Sequence, residues 1–290
     1  MTYCVGLALG TGLVFMSDTR TNAGVDNVST FRKMTVWEVP GTLCLTLLSS
    51  GNLATTQAVI SQLEERGKAP GERDPGILSA PSMFQAARIV AETLRDVVAT
   101  HESGGMTADA SFQATLILGG QIKGGPPQMF LIYPEGNFIE TSEDTPFFQI
   151  GETKYGKPIL VRAYDRSLGF ADAMRLLLVS FDSTVKANLS VAPPFDYRFL
   201  RHRQPVRRAH GRIQADHPYY IHISEAWGRR RGRLAASEMA GERVKGASPS
   251  TAAQGQSPPP AASHIEWTPR AKAAPAPPPP QAPTGAPRHG

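Results

Sequence analysis

The sequence predicts a layered α+β domain in which strands and helices occur in separate blocks. Two pairs of short apolar runs, each joined by a turn that contains glycine, predict two antiparallel hairpins near the start of the chain. Apolar residues that later recur every three or four positions predict pairs of helices between further strands. Because single strands do not alternate with single helices, the order argues against a parallel βαβ sheet.

The predicted elements follow one another as two strand pairs, two helices, further strands, two helices and a last strand. In order they are strands at 2–9 and 12–17, strands at 34–39 and 42–49, helices from 51 to about 67 and from 83 to 97, strands at 112–118 and 129–133 that continue through a turn at 135–137 towards 150, helices at about 154–165 and 170–186, and a strand at 195–200. The second helix is the clearest, since Ser82 and Gln85 form a capping-box pattern at its start.

Length and composition exclude several classes of protein. The 290 residues suffice for one large domain or two modest ones with a proper core. No run approaches the roughly 18 apolar residues of a transmembrane helix, and no basic residue precedes Arg20, as a signal peptide would require. Cys4 and Cys44 are too few for a disulfide scaffold and lack the spacing of a metal site. We therefore expect a cytoplasmic protein without a metal or a cofactor.

The last third of the chain has an excess of positive charge and of proline. Residues 1–200 carry a net charge of −4, whereas residues 201–290 carry +9. From Lys245 onward 12 of 46 residues are proline, and such a segment buries too little apolar surface to fold, so we expect 237–290 to be a disordered tail. The arginines lack interleaved aromatic residues and a recognised nucleic-acid module, and we expect neither a nucleic-acid nor a membrane partner.

The body of the chain lacks the common catalytic motifs. His101, in an expected polar loop, is the only histidine before residue 201, so a Ser-His-Asp or Cys-His arrangement is not expected. The GxSxG, HExxH, P-loop and GxGxxG patterns are absent. One nucleophile needs no histidine, because Thr2 follows Met1 and a small second residue permits removal of an initiator methionine. The hydroxyl of a free Thr2 can attack a carbonyl while its own α-amino group takes the proton.

Two charged residues stand where this chemistry needs them. Asp18 ends the second strand of the hairpin that Thr2 begins, and Lys33 precedes the next strand. A lysine near the threonine would stabilise the negative charge on the oxygen and lower the pKa of the amine, and an aspartate would keep that lysine charged and oriented. Two plainer interpretations remain open: a Met-Thr start without consequence, and a surface ion pair between Asp18 and Lys33.

The same residues carry a resemblance to a known family. The chain resembles the proteasome β-type peptidases and, among them, the bacterial Anbu (ancestral β-subunit) group. The matching segments are TYCVGLAL at 2–9, GLVFMSDTRTNAG at 12–24, STFRK at 29–33, LSSGNLATTQ at 48–57, FQIGETKYGKP at 148–158, SFDSTVKANLSV at 180–191 and PYYIHISEAWG at 218–228. The resemblance implies a four-layer αββα N-terminal-nucleophile sandwich over residues 1–236, with a C-terminal helix at about 217–236.

Carried over residue by residue, the resemblance implies roles for five residues. Thr2 would be the nucleophile and base, Lys33 the charge stabiliser and Asp18 its partner. Gly51 matches the glycine whose backbone N–H serves as oxyanion donor. Asp182 is the candidate for an aspartate that supports the amine, with the register of its segment left open and a solvent-facing helix position as the alternative.

One segment departs from the family pattern. Proteasome subunits have a Gly-Ser-Gly segment whose serine supports the threonine amine, and this chain has Gly151, Glu152 and Thr153 instead. The resemblance implies a threonine peptidase that acts on peptides or unfolded proteins within a homo-oligomer, with a separate unfoldase left open. The alternatives are an amidohydrolase of small amides, with a pocket closed by the loops at 69–80 and 101–109, and a ring-forming scaffold with little turnover.

Overall fold

The structure is a sandwich of two antiparallel sheets between two layers of helices. It is a computed structural model, and it describes residues 2–22, 28–68, 76–103, 112–202 and 208–239. The strands are β1 (Tyr3–Leu9), β2 (Gly12–Ser17), β3 (Arg20–Asn22), β4 (Val28–Thr30), β5 (Met34–Val39), β6 (Leu43–Gly51), β7 (Ala114–Ile122), β8 (Gln128–Ile132), β9 (Phe138–Glu140), β10 (Phe147–Gly151), β11 (Phe195–Arg201) and β12 (Arg208–Ile213). The helices are α1 (Leu53–Lys68), α2 (Met83–Ser103), α3 (Lys157–Ala163), α4 (Phe170–Ala187) and α5 (Pro218–Met239), with a short 3-10 helix at Ile77–Ser79.

Two of the sheets have five strands each, and the strand order of the first explains which residues lie beside the start of β1. The first sheet has the order β10-β1-β2-β11-β12, and the second has the order β5-β6-β7-β8-β9. Strands β3 and β4 form a separate two-stranded hairpin. Strand β1 is therefore flanked by β2 and β10, so the residues that follow both neighbours lie beside the start of β1.

Strand β1 shows how the sequence pattern generates the layers. Tyr3, Val5 and Leu7 belong to the apolar cluster that packs the first sheet on the helices α3 to α5. Cys4, which lies between Tyr3 and Val5, belongs instead to the cluster between the two sheets. Side chains alternate between the faces of a strand, so an apolar run without polar interruption is what a strand covered on both faces requires. Helices α1 and α2 cover the outer face of the second sheet.

The αββα layering predicted from the sequence is confirmed, with three local corrections. The strand expected to continue from the turn at 135–137 towards 150 is two strands in different sheets, β9 and β10. A tight turn divides them, in which the Thr145 N–H donates to Ser142 Oγ. The helix expected from 154 begins at Lys157, because the Lys154 N–H donates to the Glu152 side chain instead. His101 lies in helix α2 and not in a polar loop.

The last helix continues beyond its expected end. Helix α5 runs to Met239, past the boundary expected at 236, and the rest of the predicted tail lies outside the described residues. Strands β3, β4 and β12 were not predicted. Within the described ranges, no helix has the length and apolar character needed to cross a membrane, and no group of side chains is suited to hold a metal ion.

An ion pair between a buried arginine and a partly exposed glutamate joins the two sheets away from the ends of β1. Arg198 on β11 donates to the Glu38 carboxylate on β5 in the opposite sheet. The same guanidinium lies 3.1 Å from the Cys44 sulfur on β6. Because Arg198 is buried, these partners compensate a charge that would otherwise be costly inside the sandwich.

Phe181 tests the packing that fixes β1 on the helical layer. Its ring is fully buried, with centroids 4.4 Å from Tyr3 and 5.1 Å from Phe195. We expect Phe181→Ala to lower the free energy of unfolding by about 3–5 kcal/mol, through lost burial and the cavity left behind. Phe84→Ala is the matched control, since Phe84 is 52% exposed and should cost well under half as much. Urea denaturation of both variants measures the difference, and equal losses would contradict this packing.

Candidate active site

The start of β1 is held by the residue that follows β2. The Tyr3 N–H donates to Asp18 Oδ1 at 2.9 Å, and the Asp18 N–H donates to the Tyr3 carbonyl at 3.0 Å. This reciprocal pair extends the register of the hairpin, in which Cys4 lies opposite Ser17. Thr2, which is 8% exposed, is therefore anchored through its neighbour at one end of the sandwich.

Lys33 reaches the same carboxylate from the chain segment before the second sheet. Its Nζ donates to Asp18 Oδ1 at 2.8 Å and to the Arg20 carbonyl at 2.6 Å. Asp18 Oδ1 thus accepts from both the Tyr3 N–H and Lys33, which brings the lysine ammonium beside the first residues of β1. The surface ion pair considered from the sequence is excluded, since the two side chains are only 7% and 0% exposed.

The environment of Asp18 has opposing electrostatic effects. Burial disfavours the charged carboxylate and raises the pKa of Asp18 above its ordinary value. The Lys33 ammonium and the Tyr3 N–H act in the opposite direction, because both stabilise the negative charge. A carboxylate in this position depends on its donors, and losing one leaves a buried charge only partly compensated.

Gly51 ends β6 at the same edge of the sandwich. Its φ is +113°, and a Cβ there would lie 2.3 Å from the Gln113 carbonyl oxygen, so only glycine fits. The preceding residue, Ser50, lies close to Gly151 at the end of β10, since a Cβ on Gly151 would be 3.1 Å from Ser50 Oγ. The ends of β6 and β10 therefore converge beside the start of β1.

Gly151 and Glu152 lie against the carbonyl group of Thr2. Gly151 has a φ of +86°, and a Cβ on it would lie 1.9 Å from the Thr2 oxygen. The Glu152 N–H donates to that oxygen at 2.7 Å. This approach needs the missing Cβ of glycine, and it fixes the backbone of residue 152 against Thr2.

The Glu152 side chain has neutral partners. Its Oε1 accepts the Lys154 N–H at 2.8 Å, and its Oε2 accepts Asn188 Nδ2 at 2.7 Å. These hydrogen bonds, that of the Lys154 N–H above all, lower the pKa of Glu152. Asn188 Oδ1 in turn accepts the Ser190 N–H at 2.9 Å, so the segment after α4 is tied to the segment after β10.

Asp182 has a hydrogen-bond partner on helix α5. It lies in helix α4 with 3% of its surface exposed, so the solvent-facing alternative is wrong. The Tyr220 hydroxyl of α5 donates to Asp182 Oδ1 at 3.2 Å. Elsewhere on α4, Ser180 shares a 2.6 Å hydrogen bond with the Tyr3 hydroxyl.

Four of the five residues singled out from the sequence lie at the ends of β1, β2, β5 and β6 on one side of the sandwich: Thr2, Asp18, Lys33 and Gly51. The structural contact of Asp182 is with α5. Sequence reasoning missed Asn188, which lies inside the segment from 182 to 190 whose register was left open. The departure at Glu152 was visible in the sequence, but the hydrogen bond between these two residues was not.

The buried Asp18–Lys33 pair predicts a double-mutant effect. Lys33→Met keeps the volume but leaves the Asp18 charge without its cation, and we expect a loss of about 3–5 kcal/mol in the free energy of unfolding. Asp18→Asn keeps an oxygen for the Tyr3 N–H, so the double variant with Lys33→Met should recover a large part of that loss. Urea denaturation of both single variants and the double variant measures the coupling. A double variant as unstable as the sum of the two single variants would show that the pair does not interact.

Solved structures resemble the whole sandwich. A comparison with the sequence profiles of protein families found no match, and neither did a comparison with curated proteins. Anbu (ancestral β-subunit) from Yersinia bercovieri is 43% identical, with a TM-score of 0.74 over 81% of this chain and 97% of that one. Anbu from Hyphomicrobium sp. strain MC1 is 43% identical, with a TM-score of 0.73 over 81% and 97%. The helical assembly of the Anbu complex from Pseudomonas aeruginosa is 42% identical, with a TM-score of 0.74 over 81% and 95%. The chain belongs to the Anbu family, which is related to the β-subunits of the proteasome.

Proposed function

We propose that this protein is a threonine peptidase that hydrolyses peptide bonds through an acyl-enzyme on Thr2, once Met1 has been removed. The observation that supports it most is the shared acceptor Asp18 Oδ1, which joins the Tyr3 N–H to the Lys33 ammonium. A positive charge is thereby held beside the residue that carries the nucleophile. That is the arrangement an N-terminal threonine needs in the absence of a catalytic histidine.

In the proposed reaction the α-amino group of Thr2 accepts the hydroxyl proton while Oγ1 forms a bond to the substrate carbonyl carbon. The negative charge that develops is stabilised by Lys33, with the Gly51 N–H as donor to the carbonyl oxygen. The amide C–N bond then breaks, and the proton passes to the leaving amine. Water, deprotonated by the same α-amino group, attacks the resulting ester, which releases the acid and restores the hydroxyl.

Asp182 has a supporting role in this proposal. Its hydrogen bond to Tyr220 fixes α4 against α5, and α4 in turn contacts Tyr3 through Ser180. We propose that Asp182 stabilises the layer on which β1 rests and does not touch the substrate.

We propose further that the chain works as a homo-oligomer in the cytoplasm and acts on peptides or unfolded proteins. The support is the Pseudomonas aeruginosa relative, which is described as a helical assembly and is 42% identical. An assembly that gathers many sites in a confined space suits a peptidase whose own site lies at the end of a sandwich. Folded proteins would first have to be unfolded by a separate unfoldase, since no nucleotide-binding motif occurs in the sequence.

Mass spectrometry before and after treatment with a peptide epoxyketone tests the nucleophile. This warhead needs the threonine hydroxyl and a free α-amine to close its morpholine ring. We expect loss of Met1 and a stable adduct on Thr2 in the purified protein. Thr2→Ala should give no adduct, and Lys33→Ala should reduce labelling at least about tenfold because the charge that assists attack is gone. Lys157→Ala, which removes an exposed lysine of α3, is the matched control and should label normally.

Two results would contradict this function. Retention of Met1 on the native oligomer would exclude Thr2 as an N-terminal nucleophile. A free Thr2 that forms no adduct at any concentration would favour a scaffold with little turnover, or a pocket too narrow for peptides. Reaction with a small acylating electrophile but not with the peptide epoxyketone separates these two outcomes and points to small amides as substrates.

A further inference from the structure

Glu152, whose backbone contacts Thr2, carries a carboxylate that the proposed mechanism does not use. The Glu152 N–H binds the Thr2 carbonyl at 2.7 Å, and the backbone N and O atoms of one residue lie about 3–4 Å apart. The Thr2 nitrogen is therefore within about 7 Å of the Glu152 nitrogen, given standard bond lengths. The side chain at position 152 thus belongs to the immediate surroundings of the future α-amino group.

The position of this carboxylate is fixed. Its Oε1 accepts the Lys154 N–H two residues ahead, so the side chain is held against its own backbone. Its Oε2 accepts Asn188 Nδ2 from the segment after α4. Glu152 as a whole is 5% exposed.

The other charged groups near this end of the sandwich have partners of their own. The buried Asp182 carboxylate on α4 accepts the Tyr220 hydroxyl at 3.2 Å. Asp18 and Lys33 form an ion pair at 2.8 Å. Asp196 on β11 pairs with Arg212 of β12 at 2.6 Å, and Arg20 donates to the Leu189 carbonyl at 2.7 Å. Lys154 has an exposed side chain, and its positive charge adds to the hydrogen bonds that lower the pKa of Glu152. The two donors that touch the Glu152 carboxylate are neutral, so no direct ion pair cancels its charge.

We propose that Glu152 is the charge partner of the Thr2 α-ammonium group and that Asn188 positions it. This inference rests on the proposed function, since it requires a free α-amino group on Thr2. An anion beside the amine stabilises its protonated form, so the amine must lose its proton at a higher pH before it can serve as base. Glu152 thereby sets the acidic limit of the pH range in which the site is active.

The pH dependence of Thr2 acetylation measures this directly and needs no substrate. Trace labelling of the native oligomer with acetic anhydride, followed by peptide-level mass spectrometry, gives the midpoint at which the α-amine becomes reactive. We expect Glu152→Gln to lower this midpoint by about 0.5–1.5 pH units, or about 3- to 30-fold more free amine below it. Glu143→Gln removes an equal charge from the opposite end of the sandwich, where Glu143 is 93% exposed, and should leave the midpoint unchanged.

Two further variants separate charge from structure. Glu152→Asp keeps the charge and should keep the midpoint within about 0.5 units of the native value. Asn188→Ala keeps the carboxylate but releases it, and the midpoint should fall by less than in Glu152→Gln. If Glu152→Gln does not fold, as judged by circular dichroism and oligomer size, the Asn188→Ala result carries the test.

Several outcomes overturn the inference, and they are distinguishable from failure of the proposed function. A free Thr2 with the same midpoint in the native protein and in folded Glu152→Gln overturns the role of Glu152 alone. An unchanged midpoint in Asn188→Ala overturns the positioning role of Asn188. Retention of Met1 overturns both the inference and the proposed function. A lowered midpoint in Glu152→Gln without an epoxyketone adduct on the native protein supports the Glu152 pairing and overturns the peptidase.

Discussion

The hydrogen bonds of one carboxylate oxygen, Asp18 Oδ1, connect the two sheets at the end of the sandwich where Thr2 lies. Asp18 Oδ1 accepts the Tyr3 N–H from the first sheet and the Lys33 ammonium from the segment that leads into the second. Since Asp18 is fully buried, the cost of desolvating its charge is offset by these donors, the Lys33 ammonium above all. The requirement that aligns the start of β1 with the end of β2 is therefore also the requirement that brings a cation beside Thr2. Stability and the candidate chemistry depend on the same atoms.

The two sides of the site are built differently. On the hydroxyl side, Lys33 also accepts the Ser49 N–H through its carbonyl, so the ion pair is continuous with the end of β6, next to Gly51. On the side that faces the end of β10, the Thr2 carbonyl accepts the Glu152 backbone N–H. This contact is possible because Gly151 has no Cβ that would clash with the Thr2 carbonyl. A backbone contact does not depend on the side chain at position 152. That backbone contact can therefore persist with a different side chain, and here the position carries a glutamate where the proteasome pattern has serine.

The parts predicted from the sequence are those with a local signal. The alternation in β1 and the hairpin to β2 require that the residues after Ser17 lie beside Tyr3, so the sequence pattern alone brings Thr2 and Asp18 together. Strand β9 has three residues, too few for a periodic pattern, and its separation from β10 follows from pairing with distant strands. The contacts of Asp182 and Asn188 depend on how α4 is rotated and where it ends. Neither can be derived from residue type, because a buried aspartate suits a hydrogen bond to a neighbouring helix as well as one to an amine.

Lys33 and Glu152 act on the same amine with opposite sign. The ammonium of Lys33 favours the free amine, which a general base requires, whereas the carboxylate of Glu152 favours the protonated form. Asp18 Oδ1 lies 2.8 Å from Lys33 Nζ and offsets much of the positive charge of the lysine. The Glu152 carboxylate, in contrast, is held by neutral amide donors. Under the proposed function Glu152 therefore raises the pKa of the amine, while Lys33 stabilises charge on the hydroxyl oxygen. The nucleophile and the base belong to one residue, yet they are controlled by different neighbours, and a substitution at position 152 can alter the base without altering the stabilisation of the nucleophile.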